Sequence, residues 1–144
     1  VALLTRYSND AGAPGADETY GAGILDVGRL TQRDTAGIYD MVAMIPYIDH
    51  DAPHGLLHMD VSAQNRGTEM IREVVLLAEW SGRSERYTFY DVHVGDTISQ
   101  PFTFPYATVS GAGIDFSFSV SPVGVTDVNP NNNALRSRIA VETP

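Results

Sequence analysis

The chain concentrates its richest chemistry in Asp49-His50-Asp51-Ala52-Pro53-His54-Gly55-Leu56-Leu57-His58, which holds three of the four histidines beside two acids. Imidazole and carboxylate together suit zinc or another divalent ion, and His50, Asp51 and His54 are the candidate ligands. On a helix His54 and His58 would share a face, but Pro53 and Gly55 oppose a helix there. On a strand two residues four apart share a face about 13 Å apart, too far for one ion to bridge directly. A polar loop between strands, with His58 on the solvent face of the next strand, accounts for the stretch more simply.

Other constellations are fewer. Asp127, Asn129 and Asn131 match the first three odd positions of a calcium loop, but Asn132 and Arg138 stand where that pattern needs glycine and glutamate. An asparagine-rich turn is the simpler account. Tyr87, Phe89 and Tyr90, with Phe102, Phe104 and Tyr106, make two aromatic-rich stretches. Exposed, they would suit a carbohydrate or peptide ligand; turned inward, they would be core. Asp91 and His93 fall on one face of a strand and read as a surface pair. Neither Gly-x-Ser-x-Gly nor Ser-x-x-Lys occurs, so no nucleophile motif is present. Gly21-Ala22-Gly23 continues to Asp26 where a dinucleotide loop needs its third glycine. The absence of cysteine excludes disulfides, thiol catalysis and thiolate metal sites.

The elements that must position these residues fall into two zones, with a break near Arg33 to Gly37. Residues 1–36 hold a helix-like stretch from Val1 to Ser8, a turn-rich segment from Asn9 to Gly23, and Ile24, Leu25, Val27 and Leu30 at helical spacing. From Ile38 the pattern is period two. Leu57, Met59, Val61 and Ala63 alternate with His58, Asp60, Ser62 and Gln64, and the run ends at the turn Asn65-Arg66-Gly67. Ile71 to Trp80, Tyr87 to Val94, Pro101 to Val109, Gly113 to Ser121 and Leu135 to Val141 follow as strands, with Ile38 to Ile45 as the first. Pro101 and Pro105 confine their strand to an edge or a bulge. The expected fold is all-β, an immunoglobulin-like sandwich of about seven strands over residues 37–144, preceded by a short helical and turn-rich segment.

Composition sets the outer limits. A content of 43% apolar residues in 144 supports a folded core. The net charge of −9, with nine arginines and no lysine, argues against a nucleic-acid partner. The longest apolar runs, Met41 to Ile45 and Val74 to Ala78, fall far short of the ~20 residues of a membrane span. The start, from Val1 to Arg6, lacks the pattern of a signal peptide and reads as a chain entered midway.

The stretch Gly12-Ala13-Pro14-Gly15-Ala16-Asp17-Glu18-Thr19-Tyr20-Gly21-Ala22-Gly23-Ile24-Leu25-Asp26 resembles the end of a subtilisin-like serine peptidase domain. There a helix leads to Gly-x-x-Gly-x-Asp, then Tyr-Gly-x-Gly, then an apolar pair and Asp before the terminal helix. The catalytic motifs of that family lie upstream of this region, and its Gly-Thr-Ser-Met-Ala run does not occur here. The resemblance therefore implies a peptidase tail without a catalytic residue. Related peptidases bind calcium near surface turns, which makes Asp17, Glu18 and Asp26 a further calcium candidate; solvated turn acids are the simpler account.

The second zone is similar to adhesion-related, CARDB-like β-sandwich modules of secreted proteins. The likeness rests on the strand into Asn65-Arg66-Gly67, the strand Ile71 to Trp80 and the Asp127 to Asn133 turn before the last strand. Without a disulfide, Trp80 and the aromatic faces must hold this core. Together the resemblances imply a non-catalytic C-terminal module of a secreted or cell-surface peptidase, with that catalytic domain as partner and a protein or glycan as ligand. Val1, Leu3, Leu4, Ile24, Leu25 and Leu30 would then belong to the core of the peptidase domain or pack on the sandwich. The alternatives are a self-standing adhesion or carbohydrate-binding domain and, more remotely, a small metal-dependent enzyme.

Overall fold

From Met41 onward the alternation is realised as eight strands in two facing antiparallel sheets. The computed structural model describes residues 2–19 and 21–140, with the backbone alone of residues 2 and 3. The first sheet is built on β5 (Leu56–Asn65). This strand pairs with β3 (Met41–Ala43) and β4 (Tyr47–Asp51) along one side and with β8 (Thr97–Pro105) along the other. The second sheet runs in the order β10 (Ala134–Ile139), β9 (Ile114–Pro122), β6 (Ile71–Trp80), β7 (Arg83–Val92). This is the all-β, immunoglobulin-like sandwich expected from the alternation. No helix among the described residues is long and apolar enough to cross a membrane.

Several boundaries differ from expectation, each for a local reason. β6 spans the residues its alternation marks. β7 begins at Arg83 rather than Tyr87, because Ser81 and Gly82 alone make the turn, both at positive φ (47° and 74°), the hand that matches strand twist. β8 starts earlier and stops at Pro105, after which Tyr106–Val109 form one helical turn. Its prolines are tolerated because β8 is an edge strand with β5 as its pairing partner. Ile38 to Ile45 contracts to the three residues of β3. The stretch read as a polar loop is one only over residues 52–55, with His58 on the next strand as expected; Asp49–Asp51 close β4, an edge strand too exposed to need an apolar face. Val141 lies outside the described residues.

The core fills the space between the sheets. Leu57, Met59 and Val61 of β5 face Val74, Leu76 and Ala78 of β6 and Phe116, Phe118 and Val120 of β9, all at most 3% exposed. At one end Trp80 meets Phe102 edge-on at 5.2 Å and Phe104 at 6.1 Å, and stacks on Phe116 at 5.6 Å. These rings cross from the second sheet to β8 of the first. They occupy the role that an inter-sheet disulfide has in other sandwiches, each pair adding about 0.5–1.5 kcal/mol beyond burial.

Before the sandwich, α1 (Ala2–Arg6) leads to β1 (Ser8–Asn9), which pairs with β2 (Ile24–Leu25). Gly23, at φ 119°, is required there, since a Cβ would collide with the Asn9 carbonyl. α2 (Val27–Thr31) starts later than the helical spacing suggests, at the cap formed by Asp26, whose carboxylate accepts the Arg29 amide at 3.1 Å. Tyr20 lies outside the described residues.

Truncating Phe116, which is fully buried, tests the aromatic bridge. Phe116→Ala is expected to cost about 3–5 kcal/mol, read as a lower urea midpoint with an unchanged slope.

Candidate functional site

The N-terminal segment is fastened to the sandwich by polar groups. Ser62 and Gln64 belong to the solvent side of the β5 alternation, yet they are 1% and 2% exposed; the Ser62 hydroxyl meets the Met44 sulfur at 3.8 Å, and Gln64 lies under this segment. The Gln64 Oε1 accepts the Asp10 amide and the Arg66 Nε, both at 2.9 Å. Its Nε2 donates to the carbonyls of Ser8 at 3.0 Å and Gly95 at 3.1 Å. Gly95, at φ 87°, lets its backbone approach the Arg6 carbonyl where a side chain would clash. The buried Asp10 carboxylate accepts the Gly15 amide at 2.6 Å and the Thr97 hydroxyl at 2.7 Å.

Arg29 is the hub of this junction. Its Nη1 donates to the Ser8 carbonyl and to Asn9 Oδ1, both at 2.9 Å. Its Nη2 and Nε reach the carbonyls of Arg6, Asn65 and Arg66 at 3.3 to 3.5 Å, so one planar fork ties four backbone positions together. Burial, with the neighbouring Arg66 charge second, lowers the Arg29 pKa to about 10, which leaves it cationic at neutral pH. Burial lowers Arg66 in the same way. The Arg29 amide and the Asn9 side chain hold Asp26 below the ordinary carboxylate range. Neither Arg29 nor Gln64 stands out in the sequence, since one reads as a helix-end charge and the other as half of a polar alternation.

Away from the junction the segment exposes several large apolar side chains. Leu4, Ile24, Leu25 and Val27 are 47% to 62% exposed. Leu4, Ile24 and Leu25 therefore find no core in this chain, while Leu30 is half-buried. The side chains of Val1 and Leu3 lie outside the described residues.

The histidines divide differently from the expected trio. The 3-10 turn Ala52–His54 and Gly55, at φ 64°, reverse the chain between β4 and β5. That reversal brings His54 Nδ1 to 2.9 Å from the Asp51 carboxylate and His58 Nε2 to 3.5 Å. His58 Nδ1 is in turn 3.1 Å from the Thr103 hydroxyl. His50 points to the other face of β4, 3.5 Å from the Tyr106 hydroxyl and edge-on to its ring. The trio of His50, Asp51 and His54 is thus not assembled, because neighbours on a strand face opposite ways. His58 joins Asp51 because the turn removes the separation that an unbroken strand would impose. Among the described residues no group of three His, Cys, Asp or Glu is disposed to hold a metal ion. The cluster acts as a clasp on the β4–β5 hairpin. The His54 hydrogen bond lowers the Asp51 pKa, opposed by desolvation and helped more weakly by the His58 hydrogen bond.

The expected aromatic face also needs correction. Phe102 and Phe104 are buried at 8% and 6% exposure, and Tyr87, Phe89 and Tyr106 pack partly against the core. Of the six, Tyr90 alone stands exposed. Strand alternation turns the rest inward, because the core lacks a disulfide and uses rings to fill its end. The Tyr87 hydroxyl donates to Glu85, which pushes its pKa up to about 12.

The turn acids serve the backbone. Asp127 accepts the amides of Met41 at 2.8 Å and Asn129 at 2.9 Å, which bolts the asparagine-rich loop to β3, while Asn129 and Asn131 are exposed. Asn132 Nδ2 donates to Asp40 at 3.0 Å. Burial raises the Asp40 pKa, opposed by that hydrogen bond and reinforced by the Asp127 charge. Asp17 accepts the Thr19 amide at 2.8 Å, Asp26 caps α2, and Glu18 is exposed.

No family model matches the sequence, and no curated protein matches it. Among solved structures, the chain is similar to the CARDB domain of a Pyrococcus furiosus protein in complex with di-metal ions. The TM-score is 0.58 at 15% identity, over 76% of this chain and 99% of that one. The β-glucosidase 3B of Thermotoga neapolitana, in complex with α-D-glucose, overlaps 72% of this chain and 16% of its own, at 10% identity and a TM-score of 0.38. The first likeness shows the fold, a CARDB-like immunoglobulin-like sandwich.

Three substitutions test these assignments. Arg29→Met should cost about 2–3 kcal/mol, the scale of losing hydrogen bonds from a charged group. It should speed amide exchange at Ser8 and Asn9 before that of β6. Asp51, with its lowered pKa, stabilises the fold above the ordinary carboxylate pKa and loses that contribution as pH falls through its folded value. Asp51→Asn should therefore lower Tm at pH 7 and leave it nearly unchanged at pH 2. Asp40, with its raised pKa, has the opposite sign, favouring the fold below the ordinary carboxylate pKa and losing that advantage as pH rises through its folded value. Asp40→Asn should raise Tm at pH 7 and leave it unchanged at pH 2.

Proposed function

We propose that this chain is the non-catalytic C-terminal part of a secreted or cell-surface subtilisin-like serine peptidase. In this reading residues 1–36 close the catalytic domain and residues 37–144 are a CARDB-like module serving as spacer and binding domain. The observation that carries the proposal is the divided character of the N-terminal segment. Part of it is hydrogen-bonded to the sandwich through Arg29 and Gln64. Elsewhere in it Leu4, Ile24, Leu25 and Val27 stand open to solvent, large apolar side chains of the kind that an interface covers. Ile24 and Leu25 belong to the stretch that resembles the end of the peptidase domain, with Leu4 and Val27 flanking it, and there they would lie against the rest of that domain. The partner is then the peptidase domain of the same protein. The chain itself supplies no catalytic residue to it, and no cofactor enters the reading.

A self-standing adhesion module is the second reading, favoured by the number of bonds that make the segment a strap on the sandwich. Sequencing the gene upstream of Val1 separates the two. Gly-Thr-Ser-Met-Ala preceded by the aspartate and histidine motifs supports the peptidase; a start codon or an unrelated domain overturns it. In the supported case the chain alone should not hydrolyse casein and should self-associate with rising concentration in sedimentation velocity. Leu25→Asp with Val27→Asp should weaken that association, whereas a monomeric wild-type chain at all concentrations would remove the argument from these side chains.

A further inference from the structure

We infer that the outer face of the second sheet, at β6, β9 and β10, binds a neutral polysaccharide through its vicinal hydroxyls. The strand register sets three side chains in one row there, since Glu79 on β6 lies opposite Ser117 on β9, and Ser117 opposite Arg136 on β10. The ends of the row are two strand spacings apart, about 9.5 Å between Cα atoms, which leaves the width of a sugar ring between their side chains. The next row is Leu77, Ser119 and Ala134, apolar and small. The two rows line a shallow groove of about 330 Å³. Glu79, Ser117 and Arg136 are shared with an adjoining depression of about 380 Å³ that runs to the β6–β7 turn.

The two charged ends are left free. Arg138, one step along β10, is bonded to Asp115 at 3.1 Å, and Arg83 pairs with Glu85 at 3.6 Å. Among the described residues neither Glu79 nor Arg136 enters an ion pair. A guanidinium donates two parallel bonds and a carboxylate accepts two, so each end matches a pair of adjacent hydroxyls. Leu77 offers an apolar floor to the C–H face of the ring. An anionic polymer is disfavoured by Glu79 and by the net charge of −9. The groove deepens the reading of the sandwich as a binding module and is independent of a peptidase parent.

Affinity electrophoresis of the whole chain in gels containing soluble glucomannan or dextran tests it. The wild type should be retarded in at least one, and periodate oxidation of the polymer, which cleaves vicinal diols, should abolish the effect. Glu79→Ala and Arg136→Ala should each weaken retention about tenfold or more, the scale of losing one charged hydrogen-bonding partner, with unchanged urea midpoints. No retardation in either polymer, retention only in alginate, retention that survives periodate, or retention unaltered in both variants would overturn the inference. None of these outcomes bears on the gene upstream of Val1.

Discussion

Burial of the C-terminal half of β5 on both faces is the constraint from which the rest of the architecture follows. Its inward residues, Leu57, Met59, Val61 and Ala63, meet the second sheet. Its outward residues near the C-terminal end are buried as well, Ser62 against Met44 and Gln64 beneath the N-terminal segment. A strand covered twice exposes no polar group to water, so every donor and acceptor there must be matched within the protein. Gln64, Arg29 and Arg66 do this together, and their long side chains reach carbonyls that no strand pairing could satisfy. The junction is polar because a backbone surface, rather than an apolar one, is being covered.

The same economy appears in how the nine arginines are placed. Arg29 and Arg66 are enclosed in the junction, where a delocalised cation tolerates burial better than an ammonium would. Arg83 lies over the Trp80 ring and Arg138 holds Asp115. Arg136, on the outer sheet face, is exposed and enters no ion pair among the described residues. The acids are placed with similar differences: Asp26, Asp51 and Asp127 fasten turns or helix starts, whereas Asp40 is kept in a half-buried position at a cost.

Strands flanked by water on one side were readable because their alternation is physical: β6 and β9 must put one apolar face inward, and their residues say so. β4 was hidden because an exposed edge strand has no need of apolar residues. The inward turn of Phe102 and Phe104 was undecidable from composition, since an aromatic residue suits a core and a binding face equally. The contact between Asp51 and His58 depends on the left-handed Gly55, a local reversal that spacing along the sequence does not report. The burial of Gln64 is not legible in the alternation because its cover comes from a segment more than fifty residues earlier, a separation at which periodicity carries no information. The fold class was thus legible from local pattern, while the junction, which is made of non-local hydrogen bonds, was not.

The exposed stretch from 31 to 37 is the covalent route between the N-terminal segment and the sandwich, but it is not the only mechanical one. The bonds of Arg29 to Asn65 and Arg66, and of Gln64 to Ser8, bypass it, and the stretch is itself held where its Thr35 carbonyl accepts the Thr68 hydroxyl and its Gly37 amide meets Glu69. A tug on the segment is therefore delivered at several points to the end of β5 and the turn that follows it. The sandwich would keep its heading relative to the segment until those hydrogen bonds give way together.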